Sequence, residues 1–153
     1  MKAVLYDRTV TRLVGINHVA LEVGSIDEAL AFLERVFGPL TLRGRSSRMA
    51  FVDMGDQFLA LSAGRDAPAD AHRHVGIVVD DKEAVRRAVE STGIPCSPPP
   101  ALDLRDPWGN LLQVVDYREV QFTKAPSVLA GMGLDGIEKS ERALAELREK
   151  GLG

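Results

Sequence analysis

Apolar residues alternate with polar or small ones over two short stretches that match each other. In Ile16-Asn17-His18-Val19-Ala20-Leu21-Glu22-Val23, a strand sends Val19, Leu21 and Val23 to one side and His18, Ala20 and Glu22 to the other. Arg73-His74-Val75-Gly76-Ile77-Val78-Val79 repeats the pattern, with Val75, Ile77 and Val79 opposite His74, Gly76 and Val78. Helical spacing follows each strand. Ser25 is a good N-cap, Asp27 and Glu28 suit a first turn, and Ile26, Leu30, Leu33 and Phe37 make one apolar face before Gly38-Pro39 stops the helix. The second helix is predicted from about Asp81 to Ser91, with Val85, Ala88 and Val89 inward and Thr92-Gly93 at its end.

Strands of period two come next in both halves. Leu40 to Arg43, Arg48 to Asp53 and Gln57 to Ser62 follow the first helix, with turns at Gly44-Arg45-Ser46-Ser47 and Met54-Gly55-Asp56. After the second helix, the proline-rich Ile94 to Pro100 is read as an edge strand or extended segment. Ala101 to Arg105 and Asn110 to Tyr117 complete that half, joined by Asp106-Pro107-Trp108-Gly109. Asp53 to Leu61 aligns without a gap on Asp106 to Val114, while the two histidines lie about three residues further apart, as loop shortening produces. The order and register point to internal duplication. The expected organisation is a lead-in over 1–14, a βαβββ module over 15–63, a linker over 64–71, a second βαβββ module over 72–118 and an extension over 119–153. In the lead-in, Val4-Leu5-Tyr6 and Leu13-Val14 are the segments able to pack or to form a short edge strand. In the extension, Glu119 to Gly136 reads as irregular. Ile137 to Lys150 reads as a helix whose narrow stripe of Ile137, Leu144 and Leu147 suits docking on a surface, of the barrel or of a second subunit.

Composition narrows the class. The chain has 153 residues, 45% hydrophobic and 27% charged, the balance of a soluble globular domain or of two small modules sharing a core. A net charge of -3 offers no concentrated basic face to a nucleic acid. No apolar run approaches the length of a membrane span, and the charged start lacks a signal peptide's apolar centre, so the expected location is the cytoplasm, without a membrane partner. Cys96 is the single cysteine, which excludes an internal disulfide and a cysteine-rich metal site; it reads as a small, half-buried side chain.

The chemistry-bearing residues are few. His18 and His74 occupy equivalent positions opposite the apolar faces, which suggests a site between the repeats. Glu22 shares the face of His18 but lies about 13 Å along the strand, too far for joint chelation. His72 shares the face of His74 where the linker ends. Arg43, Arg45 and Arg48 flank one hairpin as a solvated basic turn; if Arg43 or Arg48 faced the cleft, a carboxylate or phosphate would be its natural ligand. Trp108 reads as a packing lid or a dimer contact. No phosphate-cradling glycine loop and no Ser-His-Asp spacing is present.

With a histidine early in each repeat, Asn17-His18-Val19-Ala20 at the start and Arg105-Asp106-Pro107-Trp108-Gly109-Asn110 before the last strand, the chain resembles the vicinal-oxygen-chelate superfamily. This superfamily includes glyoxalases, bleomycin- and fosfomycin-resistance proteins and extradiol dioxygenases. The resemblance spans about Gly15 to Tyr117. It implies an α+β fold in which two tandem βαβββ modules form an open, cleft-bearing barrel, here with an added C-terminal helix. It also implies a homodimer, because members usually pair modules across a subunit interface. The family's metal positions fall on His18, Ala60, His74 and Gln113. The implied metal ligands are therefore His18, His74 and Gln113, and the candidate substrate-lining residues are Ala60 and Gln113 from the resemblance, with Arg43 and Arg48 from their own chemistry if they face the cleft. Two imidazoles and an amide suit Zn, Ni or Fe better than Mn or Mg, which favour anionic oxygens. Gln113 also replaces the glutamate that carries a proton in isomerising members. The expected function is a glyoxalase- or dioxygenase-like protein acting on a small oxygen-rich or anionic molecule. A divalent transition metal (Zn, Ni, Fe or Mn) would assist lyase, isomerase or dioxygenase chemistry. The alternative is a metal-free binding protein of the resistance or sequestration type, and an interaction module built on the C-terminal helix is a third class.

Overall fold

The structure is a computed structural model that describes residues 13–153. The first module runs β1 (His18–Val23), α1 (Ile26–Phe37), β2 (Leu42–Arg45), β3 (Met49–Asp53) and β4 (Phe58–Ala63). The second runs β5 (His74–Val79), α2 (Lys82–Thr92), β6 (Asp103–Arg105) and β7 (Leu111–Asp116). Each helix starts where its cap dictates: Ser25 Oγ accepts from the Glu28 amide, and Asp81 Oδ1 accepts from the Ala84 amide. The strands form two separate sheets, ordered β1-β4-β3-β2 and β5-β7-β6. In both, the first and last strands are parallel neighbours, with His18 opposite Phe58 and His74 opposite Leu111. The fold is α+β, as expected.

The apolar faces turn inward onto the helices. α1 packs on α2, and one continuous core joins Val23, Leu30, Leu33 and Val36 to Val85, Val89, Leu104, Leu112 and Val114. Each such side chain contributes about 1.5–3 kcal/mol when fully buried. Consequently the opposite strand faces, those of His18, Ala20 and Glu22 and of His74, Gly76 and Gln113, are left exposed.

A polar seam ties the modules together. Asp106 Oδ1 accepts from the amides of Trp108 and Asn110, closing the turn ahead of β7. Asn110 Nδ2 then donates to the Glu22 carbonyl of the other module at 2.8 Å, and its Oδ1 accepts from the linker's Arg65 at 2.6 Å. Gly109 has φ +85°, and a side chain there would also collide with Ala69 of the linker.

Several expectations need correction. Of the two readings of residues 94–100, the extended segment holds and the edge strand does not: they contribute one bridge, Cys96 to Leu104, and the second sheet has three strands among the described residues, because Pro95, Pro98, Pro99 and Pro100 supply no amide hydrogens for a ladder. The stretch read as irregular contains α3 (Pro126–Gly131), which opens on a proline whose missing N–H is harmless in a first turn. The last helix, α4 (Glu141–Glu149), begins later than Ile137 because Ser140 caps it, accepting from the Ala143 amide. Its inward face is Ala143 and Leu147, with Leu144 half-buried. Leu13 and Val14 are fully exposed and form no strand among the described residues, while Val4-Leu5-Tyr6 lies outside them.

The extension is anchored by Lys139. Its ammonium donates to the carbonyls of Tyr117, Val120 and Phe122 at 2.6, 2.8 and 2.6 Å and lies 3.7 Å from the Tyr117 ring centroid. Burial pushes the Lys139 pKa down.

Candidate functional site

A cavity of about 970 Å³ opens where the start of β1, the β3–β4 turn, the length of β5 and the extension meet. Its walls include His18, Asp53, Asp56 and Phe58 from the first module, and His74 through Asp80 from the second. The extension adds Phe122, Lys124, Leu129 and Met132. Both sequence-predicted histidines therefore line one cavity.

Each histidine is oriented through Nδ1. His18 Nδ1 lies 2.9 Å from the Asn17 side-chain oxygen, and its ring stacks on Phe58 with centroids 4.6 Å apart and an interplanar angle of 8°. His74 Nδ1 lies 2.9 Å from the His72 carbonyl oxygen. Because both partners are acceptors, Nδ1 must donate, and the neutral form of either ring carries its lone pair on Nε2. Such a tautomer suits a metal ligand or a proton acceptor.

Two ion pairs flank the β3–β4 turn. Arg43 donates through Nε to Asp53 at 2.5 Å and through Nη2 to the carbonyls of Gly55 and Gln57, and its guanidinium lies 4.8 Å from the Phe58 ring centroid. That guanidinium holds the Asp53 carboxyl below the usual carboxylate range. Lys124 pairs with Asp56 and lies 5.6 Å from the Phe122 ring centroid. Its hydrogen bond likewise keeps the Asp56 carboxyl low.

The other predicted residues lie elsewhere. Ala60 is buried in β4 between its partners Ala20 and Phe51. Gln113 is exposed on β7, opposite Gly76 and Asp103, and does not line the cavity. Arg43 is committed to its own hairpin, and Arg48 is exposed away from the cavity. Glu22 faces solvent, and His72 supplies a carbonyl, not a ring nitrogen. Trp108 packs over Gly24 within the seam. Among the described residues, no three His, Cys, Asp or Glu side chains gather into a metal site. Nor is any described helix long and apolar enough to cross a membrane. Lys124, Asp56 and Phe122 escaped the sequence reading; the signal that could have found them is Phe122-Thr123-Lys124 close behind Tyr117, in a chain poor in aromatic residues.

Known proteins place this geometry in context. The chain is similar to the metallothiol transferase FosB of Lysinibacillus sphaericus (strain C3-41), 30% identical over 73 residues, which are 44% of this chain and 50% of that protein. The chain thus spans about half the length of the curated relative it matches. A structure described as a possible glyoxalase from Bacillus cereus is 27% identical, with a TM-score of 0.57 over 67% of this chain and 99% of that one. A variant of the fosfomycin resistance protein FosX from Listeria monocytogenes, complexed with Mn(II) and 1S,2S-dihydroxypropylphosphonic acid, has a TM-score of 0.57. It is 16% identical and covers 67% of this chain and 90% of its own, a likeness of fold. The model of the Glyoxalase/Bleomycin resistance protein/Dioxygenase superfamily matches residues 15–114. That match begins ahead of the strand bearing His18 and ends on the strand bearing Gln113, so it takes in both modules, and the chain belongs to this superfamily.

Proposed function

We propose that the cavity binds and processes a small oxygen-bearing anion, with His18 and His74 holding a transition-metal ion. The observation that carries this reading is the matching orientation of the two imidazoles, each hydrogen-bonded to an acceptor through Nδ1 in the wall of one cavity, which leaves Nε2 as the nitrogen for a metal or a proton. The donor set fits Zn, Ni or Fe better than Mn. Ala60 offers only a buried methyl group, Gln113 is neutral, Asp53 is held by Arg43, and Asp56 sits beside the Lys124 ammonium. Bound there, such an ion would polarise a substrate oxygen. The chain's own part is to orient both rings through Asn17 and the His72 carbonyl, to stack His18 on Phe58, and to shelter the ligand's apolar body beneath the extension. An Nε2 not engaged by metal can accept a proton. The FosX complex with Mn(II) and a phosphonic acid, and the metallothiol name of FosB, support a metal and an oxyanion as the chemistry of such relatives. A homodimer belongs to the same reading, since Ala20, Glu22 and Gln113 are exposed outside the cavity and open to a second copy.

Elemental analysis of untagged protein offered Zn, Ni, Mn and Fe tests this. About one ion per chain, lost in His74→Ala, is expected; metal content unchanged in that variant sinks the reading. A second reading, metal-free sequestration, is favoured by the absence of a carboxylate at Ala60 and Gln113, and predicts ligand binding that survives EDTA.

A further inference from the structure

The extension lies beyond the family match, which ends at residue 114, yet it builds one wall of the cavity. Most of that wall is apolar: Phe122, Leu129, Met132, Leu134 and Ile137. Lys124 is its one cationic residue, and its side chain is only 9% exposed. A lysine side chain so largely covered is favoured by an anion beside it. Its partner Asp56 also lines the cavity, but that side chain is 52% exposed, on the turn leading to Phe58 and His18. The pair is lopsided. Asp56 can return to water at little cost, whereas Lys124, largely covered, gains more from an anion beside it.

We infer that Lys124 is the anion-recognising residue of the cavity, that Asp56 is the placeholder a ligand displaces, and that the ligand class is a singly headed carboxylate or phosphonate with an apolar body. The carboxylate or phosphonate group takes the position Asp56 vacates beside the ammonium, and the apolar body lies against Phe122, Leu129 and Met132. Specificity for the anion thus comes from the extension, not from the two duplicated modules. This rests on the reading of the cavity as the ligand site, but not on a metal being present.

The test is calorimetric titration of the full chain with phenylphosphonate, benzoate and uncharged benzyl alcohol, each with and without EDTA. Either anion should bind at least about tenfold more tightly than benzyl alcohol, the worth of one charge-assisted contact. Whichever anion binds more tightly identifies the head group. Lys124→Met should abolish that preference, so that neither anion binds more tightly than benzyl alcohol. Asp56→Asn removes the competing carboxylate and should tighten anion binding severalfold. A purely structural ion pair predicts the reverse, so anion affinity that falls or stays constant in Asp56→Asn overturns the inference even if Lys124→Met does not fold. Anion binding that persists in EDTA and depends on Lys124 supports the inference while removing the metal reading. Anion binding that needs metal and ignores Lys124 does the opposite.

Discussion

Asp53 and Asp106 stand at equivalent places ahead of the last strands of their modules, and each closes its turn by accepting a hydrogen bond from the amide two residues on, Gly55 or Trp108. Beyond that closure the turns diverge. In the second module, the Trp108 indole covers Gly24, and Asn110, 2% exposed, bonds across the seam to Glu22. In the first, Gly55 leaves room for Met132 of the extension, Asp56 reaches Lys124, and Gln57 donates, among the described residues, only to the Ile16 carbonyl. One copy of the turn has become the joint between modules, while the other opens onto the cavity. Duplication preserved the backbone device, and burial decided what its side chains do.

The sharpest way to break this comparison is to remove the equivalent amides. Asn110→Ala leaves the Glu22 carbonyl, the Asp106 carboxylate and the Arg65 guanidinium each short of a partner in a buried place, a loss of about 3 kcal/mol. Gln57→Ala should cost less than about 1 kcal/mol, since water can replace its one bond. Urea denaturation of both variants checks this; equal losses would mean that the two turns bear the same load. A smaller effect is expected from Gly24→Ala. The new Cβ would lie 2.1 Å from Trp108 Nε1, so the indole must move, at about 1–3 kcal/mol. Trp108 is the only tryptophan, so its fluorescence should shift red as the ring leaves the seam. An unshifted spectrum with unchanged stability would show that the indole has no fixed seat there.

What was legible in the chain was what local chemistry determines. Ser25 and Asp81 cap helices within three residues of themselves, and alternating apolar residues set which face of β1 and β5 turns inward. The duplicated histidines could be paired by register alone, and the structure brings both to one cavity. The rest depends on distant partners. Lys124 meets Asp56 across 68 residues, and no local pattern announces that contact. Ala60 aligned with a ligand position, but its burial is set by Phe51 and Ala20 on the strands at either side. Arg43 looked available for an anion because its commitments to Asp53, Gly55 and Gln57 lie across a hairpin. The helix α3 was hidden because six residues between glycines and prolines carry too little periodicity to register.

Acid separates the modules by a last, smaller effect. Asp116 ends β7 where the first module has Ala63, and it accepts from the Lys82 amide at the start of α2 and from the amide and guanidinium of Arg118. Hydrogen bonding to that guanidinium, with the two amides adding to it, holds the carboxyl at about 2 against an ordinary 3.8. The folded value is the lower one, so the stabilisation is complete above the unfolded value and fades as pH falls from about 5 towards 2. The shift corresponds to at most about 2–3 kcal/mol. Because the Arg118 side chain is 47% exposed, solvent screening reduces this to about 1 kcal/mol. Asp116→Asn should therefore lie about 1 kcal/mol below the natural chain at pH 6 and converge with it near pH 2.5, by urea midpoints. Its cost should fall on the β7–α2 contact, so hydrogen exchange at the first turn of α2 should quicken while that at the Ser25-capped start of α1 does not. A gap that stays constant down to pH 2.5 would mean that the carboxylate's charge is not what ties the second module's helix to its sheet.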